Sequence, residues 1–407
     1  MQKNNFQPGK YTTSALSHIF HLSERIGGRG SCTVNERQAG EYAAGELMAM
    51  GMSGVDQEPF KAIPATYWPF ALGFAASLAG TLLALLAGGR AALTAAASLN
   101  LLGVWAMLAE TEFTNHWARW FLPRRPSQNV TGVIPSKKTV QARVVLCAHL
   151  DTHRTPVFFS SQVWYSVFSL LLTLTFLSMA AGAVVFGLGA ILAWPAARWI
   201  ALFAFPMQVF SLAMCLHADF TPYSPGANDD ASGVGVILGL VQRLLVERLE
   251  NTQVHLAFTG CEEVGSYGIQ AYLDRHSQEL GDQVVYIILD EVGIGKIKYL
   301  TADGLVLKHK THPRALALGR EISATHPDLQ VVERTGLAYT DALSVTKRGL
   351  AALTVCTEVD PKAEKVSHWH QMSDTIETLQ PETLDRAHKF IWEILQKIDQ
   401  QASTVSF

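Results

Sequence analysis

Four apolar stretches free of Asp, Glu, Lys and Arg constrain this chain more than any other feature, and they come as two pairs. Tyr67–Gly88 and Ala91–Leu108 are separated only by Gly89 and Arg90; Val163–Trp194 and Trp199–His217 are separated by a short loop holding Pro195 and Arg198. A helix crossing a bilayer needs ~20 apolar residues, and each stretch is near or above that length. The third exceeds it, and Gly182, Gly187 and Gly189 are expected to break or bend it. Trp68, Trp105, Trp164, Trp194 and Trp199 fall near the ends of the stretches, where an aromatic belt would lie. Only 16% of the residues are charged, against ~25% in soluble domains. Four such runs in two tight hairpins are hard to bury in one soluble core, so the pattern predicts two transmembrane helical hairpins, at 67–110 and 161–219. A hairpin returns the chain to the side it left. Segments 1–66, 111–160 and 220–407 can therefore build one domain on one face of a lipid bilayer.

Those segments read as an α/β protein. Val144–Ala148, Val254–Phe258, Val284–Leu289 and Leu350–Val355 are short apolar runs, as expected of buried strands. Ser232–Leu249 has helical periodicity, with Ser232 as the expected N-cap. Pro381–Gln400 reads as a closing helix, its proline suited to the first turn. Alternating strands and helices predict a mostly parallel sheet covered on both faces, with a site beyond the carboxyl ends of its strands. Five cysteines, odd in number and without a C-x-x-C pair, argue against a disulfide framework or a structural zinc knuckle. A net charge of −3 without a basic run argues against nucleic-acid binding. Met1–Lys10 is polar, so no cleavable signal peptide is expected.

Five groups of residues carry potential chemistry, several at or just after the strand ends. In His149-Leu150-Asp151, alternation along an extended chain puts His149 and Asp151 on one side. A metal-binding imidazole commonly donates its other N–H to a carboxylate, which fits His149 as ligand and Asp151 as its orienter. Pro225–Gly233 holds adjacent Asp229 and Asp230 at a helix N-terminus. Capping accounts for one acidic residue or for Ser232, but not for the whole Asn-Asp-Asp-Ala-Ser-Gly run. Glu262 and Glu263 follow the second strand; on a loop, one carboxylate can bind metal while its neighbour faces a water. Asp290 or Glu291 closes the third strand, and His368 or His370 lies in Ser367–Thr375. Histidines and carboxylates together are ligands that zinc accepts, with a position left open for water.

The ordered series resembles the co-catalytic zinc aminopeptidases of metallopeptidase family twenty-eight, over nearly all of the non-membrane part of the chain. Ile26–Ser31 followed by Glu36–Met50 looks like that family's opening segment, and Gln128–Pro135 like the strand leading to its first ligand. The resemblance implies the zinc aminopeptidase fold and two zinc ions. Asp229 would be the bridging carboxylate. His149 and Asp290 would complete one zinc site, and Glu263 and His370 the other. Glu262 would be the general base, with Asp151 behind His149. His370 is preferred to His368 because it stands at the family's spacing from Asp374-Thr375. Two features depart from the pattern: the inserted hairpins, and Trp369 where some relatives carry a carbonyl-polarising tyrosine. Tyr339 is a candidate replacement.

The expected activity is hydrolysis of peptide bonds, with removal of an N-terminal residue as the first expectation. One alternative is a glutaminyl-cyclase-like transferase using one zinc; the complete ligand set argues against it. Another is an inactive membrane scaffold, which would normally lack ligands. Apolar helices without charged residues speak against a transporter. Arg90 and Arg198 are the only basic residues in the hairpin loops, whereas Lys61, Arg119, Arg124, Arg125 and Arg154 flank the other ends. Positive charge tends to stay cytoplasmic, so the catalytic domain is expected to face the cytoplasm. Arg154 follows Asp151 closely and Asp219 precedes the Asp229 loop, so the second hairpin should leave and re-enter near the zinc site.

Overall fold

The computed structural model describes residues 7–336, 338–358 and 368–404, and the chain packs as two compact units. One unit comprises residues 1–64, 125–153 and 223–407; the other comprises 65–124 and 154–222. In chain order, α1 (Lys10–Phe20) and α2 (Val34–Ala49) lead to β1 (Asp56–Ala62). The second unit then contributes α3 (Trp68–Ala87), α4 (Gly89–Thr111) and the short α5 (Trp117–Trp120). The chain returns through β2 (Arg125–Ile134) and β3 (Ala142–His149), and departs again into α6 (Gln162–Ile191) and α7 (Ala201–Asp219). The remainder runs α8 (Ala231–Val246), β4 (Thr252–Thr259), α9 (Tyr267–Leu280), β5 (Val285–Leu289), β6 (Lys296–Leu300), β7 (Ala302–Asp303) and β8 (His309–Lys310). It closes with α10 (Pro313–Thr325), β9 (Val332–Arg334), α11 (Asp341–Lys347), β10 (Ala351–Glu358) and α12 (Pro381–Thr404).

The first unit is built on an eight-stranded sheet in the order β1-β2-β4-β3-β5-β10-β6-β9. Its centre, β4-β3-β5-β10, is parallel throughout. β2 joins β4 antiparallel on one side, and β6 joins β10 antiparallel on the other. The central strands are buried along nearly their whole length. That burial explains why they read as continuous Val/Ile/Leu runs rather than as alternating patterns. One core face gathers Leu146, Leu256, Ile287 and Leu353 against α8 and α12 residues such as Ile237 and Phe390. The other packs Val145, Ala257, Tyr286 and Ala352 with Ile269 and Leu273 of α9 and Val345 of α11.

Two expectations need correction. The cap of α8 is Asp230, whose Oδ1 accepts the Gly233 N–H at 2.9 Å. Ser232 instead donates its hydroxyl to the Asn228 carbonyl and accepts the Val292 N–H, so it ties the loop to a distant one. Nor do the glycines interrupt α6, which is one continuous helix. Gly182 lies against the Asn100 side chain and Gly189 against Ala197, where their missing Cβ atoms permit close packing.

The second unit contains four helices long and apolar enough to cross a membrane, the last running Pro195–Asp219 with its 3-10 first turn. Each turns large apolar side chains outward, among them Leu86, Leu101, Leu170, Val184, Ile191 and Leu202, all at least 60% exposed. Contiguous apolar exposure on this scale marks an interaction surface.

Candidate metal centre

The parallel strands deliver the predicted residues to one end of the sheet. His149 ends β3, Glu262 and Glu263 follow β4, Asp290 follows β5, and His370 lies beyond β10. Asp229 stands just before α8, whose cap is its neighbour Asp230. The Asp229–Asp230 peptide is cis. In open parallel sheets the carboxyl ends of the strands are where ligands gather.

Asp229 connects two groups of side chains. Its Oδ1 lies 3.2 Å from His149 Nε2, which is 3.9 Å from Asp290 Oδ1. Its Oδ2 lies 3.2 Å from His370 Nε2, which is 3.5 Å from Glu263 Oε2. At zinc–ligand distances of ~2.0–2.2 Å, two ligands of a tetrahedral ion lie about 3.3–3.6 Å apart. The observed separations cluster around that value. The donor set, two imidazoles and three carboxylates, is one that zinc accepts. The residues present therefore fit a pair of zinc ions sharing Asp229. Glu291, the alternative to Asp290, instead accepts from Asn228 Nδ2 at 3.3 Å. His368 pairs with Ser373 Oγ at 2.8 Å, away from the group that holds His370.

Electrostatics point the same way. Burial, together with the surrounding carboxylates, pushes Glu262, Glu263 and Asp290 well above the usual carboxylate range. Buried negative charge requires compensation, and bound cations would supply it.

Asp151 does less for His149 than the sequence led us to expect. His149 Nδ1 is 3.1 Å from the Asp151 backbone oxygen but 3.6 Å from its carboxylate. The carboxylate is engaged elsewhere. Oδ1 accepts the Glu262 N–H at 3.0 Å, and Oδ2 accepts the Glu263 N–H at 3.2 Å and the Ser31 hydroxyl at 2.6 Å. Glu262 is buried, and its Oε1 accepts from Ser266 Oγ at 3.3 Å.

Four further residues lie around the centre, none of them given a role there by sequence. Asp374 accepts the N–H groups of Asn228 and Asp229 at 2.8 and 3.1 Å. Burial, with Asp229 nearby, pushes its carboxyl up to about 7. Arg29 is fully buried and donates to the carbonyls of Leu22, Gly27, Leu150, Pro225 and Gly226. It thereby clamps the His149 and Asp229 loops to the N-terminal segment. Gly226, at φ +61°, closes against Thr152 and the Asp229 carbonyl, leaving no room for a Cβ. His153 stacks on His370 with ring centroids 3.6 Å apart, and its ligand atom falls in one group with those of Glu263 and His370. Its signal was the second histidine of His149-Leu-Asp-Thr-His153.

The model of Peptidase family M28 matches residues 207–395, which include Asp229, Glu262, Glu263, Asp290 and His370. An aminopeptidase of Bacillus subtilis (strain 168), YwaD, is 30% identical over 183 residues. That match covers 42% of this chain and 37% of the relative's length. Among solved structures, the Bacillus subtilis zinc aminopeptidase BSAP superposes with a TM-score of 0.57 at 15% identity, covering 96% of each chain. A Bacteroides thetaiotaomicron glutaminyl cyclase, solved with N-acetylhistamine, superposes with a TM-score of 0.54 at 16% identity, covering 96% of this chain and 99% of that one.

Proposed function

We propose that this chain is a member of peptidase family M28, whose model matches residues 207–395, and that it is a membrane-anchored two-zinc metallopeptidase acting as an aminopeptidase. The observation that carries the reading is Asp229, whose two oxygens face two separate ligand groups at 3.2 Å each. Bound zinc ions would polarise the scissile carbonyl and make a bound water more acidic. In this reading His149 and Asp290 hold one ion, Glu263 and His370 hold the other, and Asp229 serves both. Glu262 stands beside Glu263 with its backbone fixed by Asp151. It takes the proton of the attacking water and passes it to the leaving amine. Asp151 is thus a positioning residue for the base and for Glu263.

Four helices of sufficient length and apolarity support insertion in a bilayer. The distribution of Arg90 and Arg198 against Lys61, Arg119, Arg124, Arg125 and Arg154 supports a cytoplasmic catalytic unit. Digestion of that unit only from the opposite face of sealed vesicles would overturn the orientation.

The test is metal analysis with a screen of amino-acid amides on the detergent-purified chain. About two zinc ions per chain are expected. Glu262→Gln should keep them while turnover falls ~10²–10⁴-fold. Full turnover in that variant sinks the assignment of the base. Likeness to a glutaminyl cyclase makes a second reading concrete. One metal per chain, with cyclisation of N-terminal glutamine in place of amide hydrolysis, would establish it.

A further inference from the structure

A second cluster of metal-binding side chains lies beside the Glu262–Glu263 loop and takes no part in the centre described above. Cys32 Sγ is 3.4 Å from Cys261 Sγ, and Cys261 Sγ is 3.3 Å from Glu36 Oε1. One ligand atom from each of the three residues falls within a 4.8 Å span. The carboxylate is held in place by the N–H of Cys261 on Oε1 at 2.8 Å. The N–H of Cys32 and the hydroxyl of Ser127 hold Oε2 at 2.7 and 2.9 Å. Cys261 is buried and Cys32 half-buried, so the cluster has one side open to entry.

The spacing discriminates between two uses of a cysteine pair. A disulfide needs sulfurs ~2.05 Å apart, so these would have to close by about 1.3 Å. A tetrahedral zinc with Zn–S ~2.3 Å and Zn–O ~2.0–2.2 Å places two sulfurs about 3.8 Å apart and a sulfur and an oxygen about 3.5 Å apart. The observed separations fall within a few tenths of an ångström of that arrangement.

We propose that Cys32, Glu36 and Cys261 form a third metal site, for a thiophilic divalent cation such as Zn2+, with water in the fourth position. Binding converts two Sγ–H groups into two metal–sulfur bonds and releases two protons to solvent; no oxidant or reductant is consumed. The ion cross-links α2 to the loop after β4, one residue before Glu262. That would fix the loop at Cys261, next to the Glu262 and Glu263 N–H groups that Asp151 holds.

The experiment uses the full chain in detergent, reduced, stripped with chelator and titrated with Co2+. Thiolate ligation gives a near-ultraviolet sulfur-to-cobalt charge-transfer band. Nitrogen and oxygen ligands around Asp229 cannot give one, so failure of the proposed peptidase centre leaves this readout intact. The band should saturate with two thiolates per chain and be lost in Cys32→Ser and in Cys261→Ser. A second measurement needs no variant: Zn2+ bound to the unaltered chain should stop maleimide modification of Cys32, read by peptide mass. Absence of the band from the folded chain overturns the proposal. So does an unchanged rate of Cys32 modification in Zn2+, or a Cys32–Cys261 disulfide in the protein as purified.

Discussion

Oδ1 of Asp151 accepts the backbone N–H of Glu262 at 3.0 Å. The adjacent Oδ2 takes the Glu263 N–H and the Ser31 hydroxyl. This one carboxylate therefore fixes the backbone from which both the proposed base and a proposed ligand project. Asp151→Asn keeps the shape but turns an NH2 group toward groups that donate. An unsatisfied buried donor costs ~1–3 kcal/mol, and groups behind metal ligands typically matter by ~10–100-fold. We expect kcat on amino-acid amides to fall by about that factor, with KM changing less. Unaltered kcat at full metal occupancy would show that the Glu262 backbone needs no such anchor.

Part of the layout was legible because His149, Glu263 and Asp290 each sit at or just after an apolar run that reads as a buried strand. β3, β4, β5 and β10 all lie over the segments their Val/Ile/Leu content indicated. What escaped was set by contacts far apart in the chain. Arg29 reaches carbonyls at Leu150, Pro225 and Gly226, and no local pattern announces a guanidinium that will be wholly buried. Asp374 was noted only as a spacing marker, yet it holds the Asp229 backbone from 145 residues away. The cap of α8 shows the same limit in miniature. Asp230 and Ser232 are equally good N-caps by type, and only the approach of Val292 to the Ser232 hydroxyl decides between them.

Acid should destabilise the sheet unit through its buried histidines. Burial, and Arg243 nearby, push His388 down to about 4, and its ring stacks on Tyr11. Burial also lowers His18 and His255 to about 4. Above pH 6.5 such a ring is neutral in folded and unfolded chains, and stability does not depend on it. Between about 6.5 and 4 the unfolded chain takes up a proton that the folded chain refuses. Stability therefore falls as pH falls, by at most about 3 kcal/mol for His388 across that window. The urea midpoint of the unaltered chain should drop on acidification, and His388→Gln should flatten part of that slope. Equal slopes in the two proteins would show that His388 titrates normally.

The helical unit offers a prediction of a different kind, because in lipid the apolar surfaces of its helices no longer favour one another over the solvent. Specific pairing must then come from close packing and from polar contacts. Asn100 of α4 and Gln208 of α7 are both wholly buried, and Gln208 Nε2 donates to Asn100 Oδ1 at 3.2 Å. Asn100 in turn donates to the Ala96 carbonyl at 3.0 Å, and Gly182 of α6 packs against it. This contact joins one hairpin to the other at a point where three helices meet. Asn100→Ala and Gln208→Ala should each lower the thermal midpoint of the detergent-solubilised unit. Each single change leaves the other amide short of a partner, so the double variant should lose less than the sum of the two. Coupling of about 0.6–2 kcal/mol is expected for a polar contact between membrane helices. Additive losses, within the ~0.3–0.5 kcal/mol scatter of independent sites, would mean that small-residue packing alone matches the hairpins.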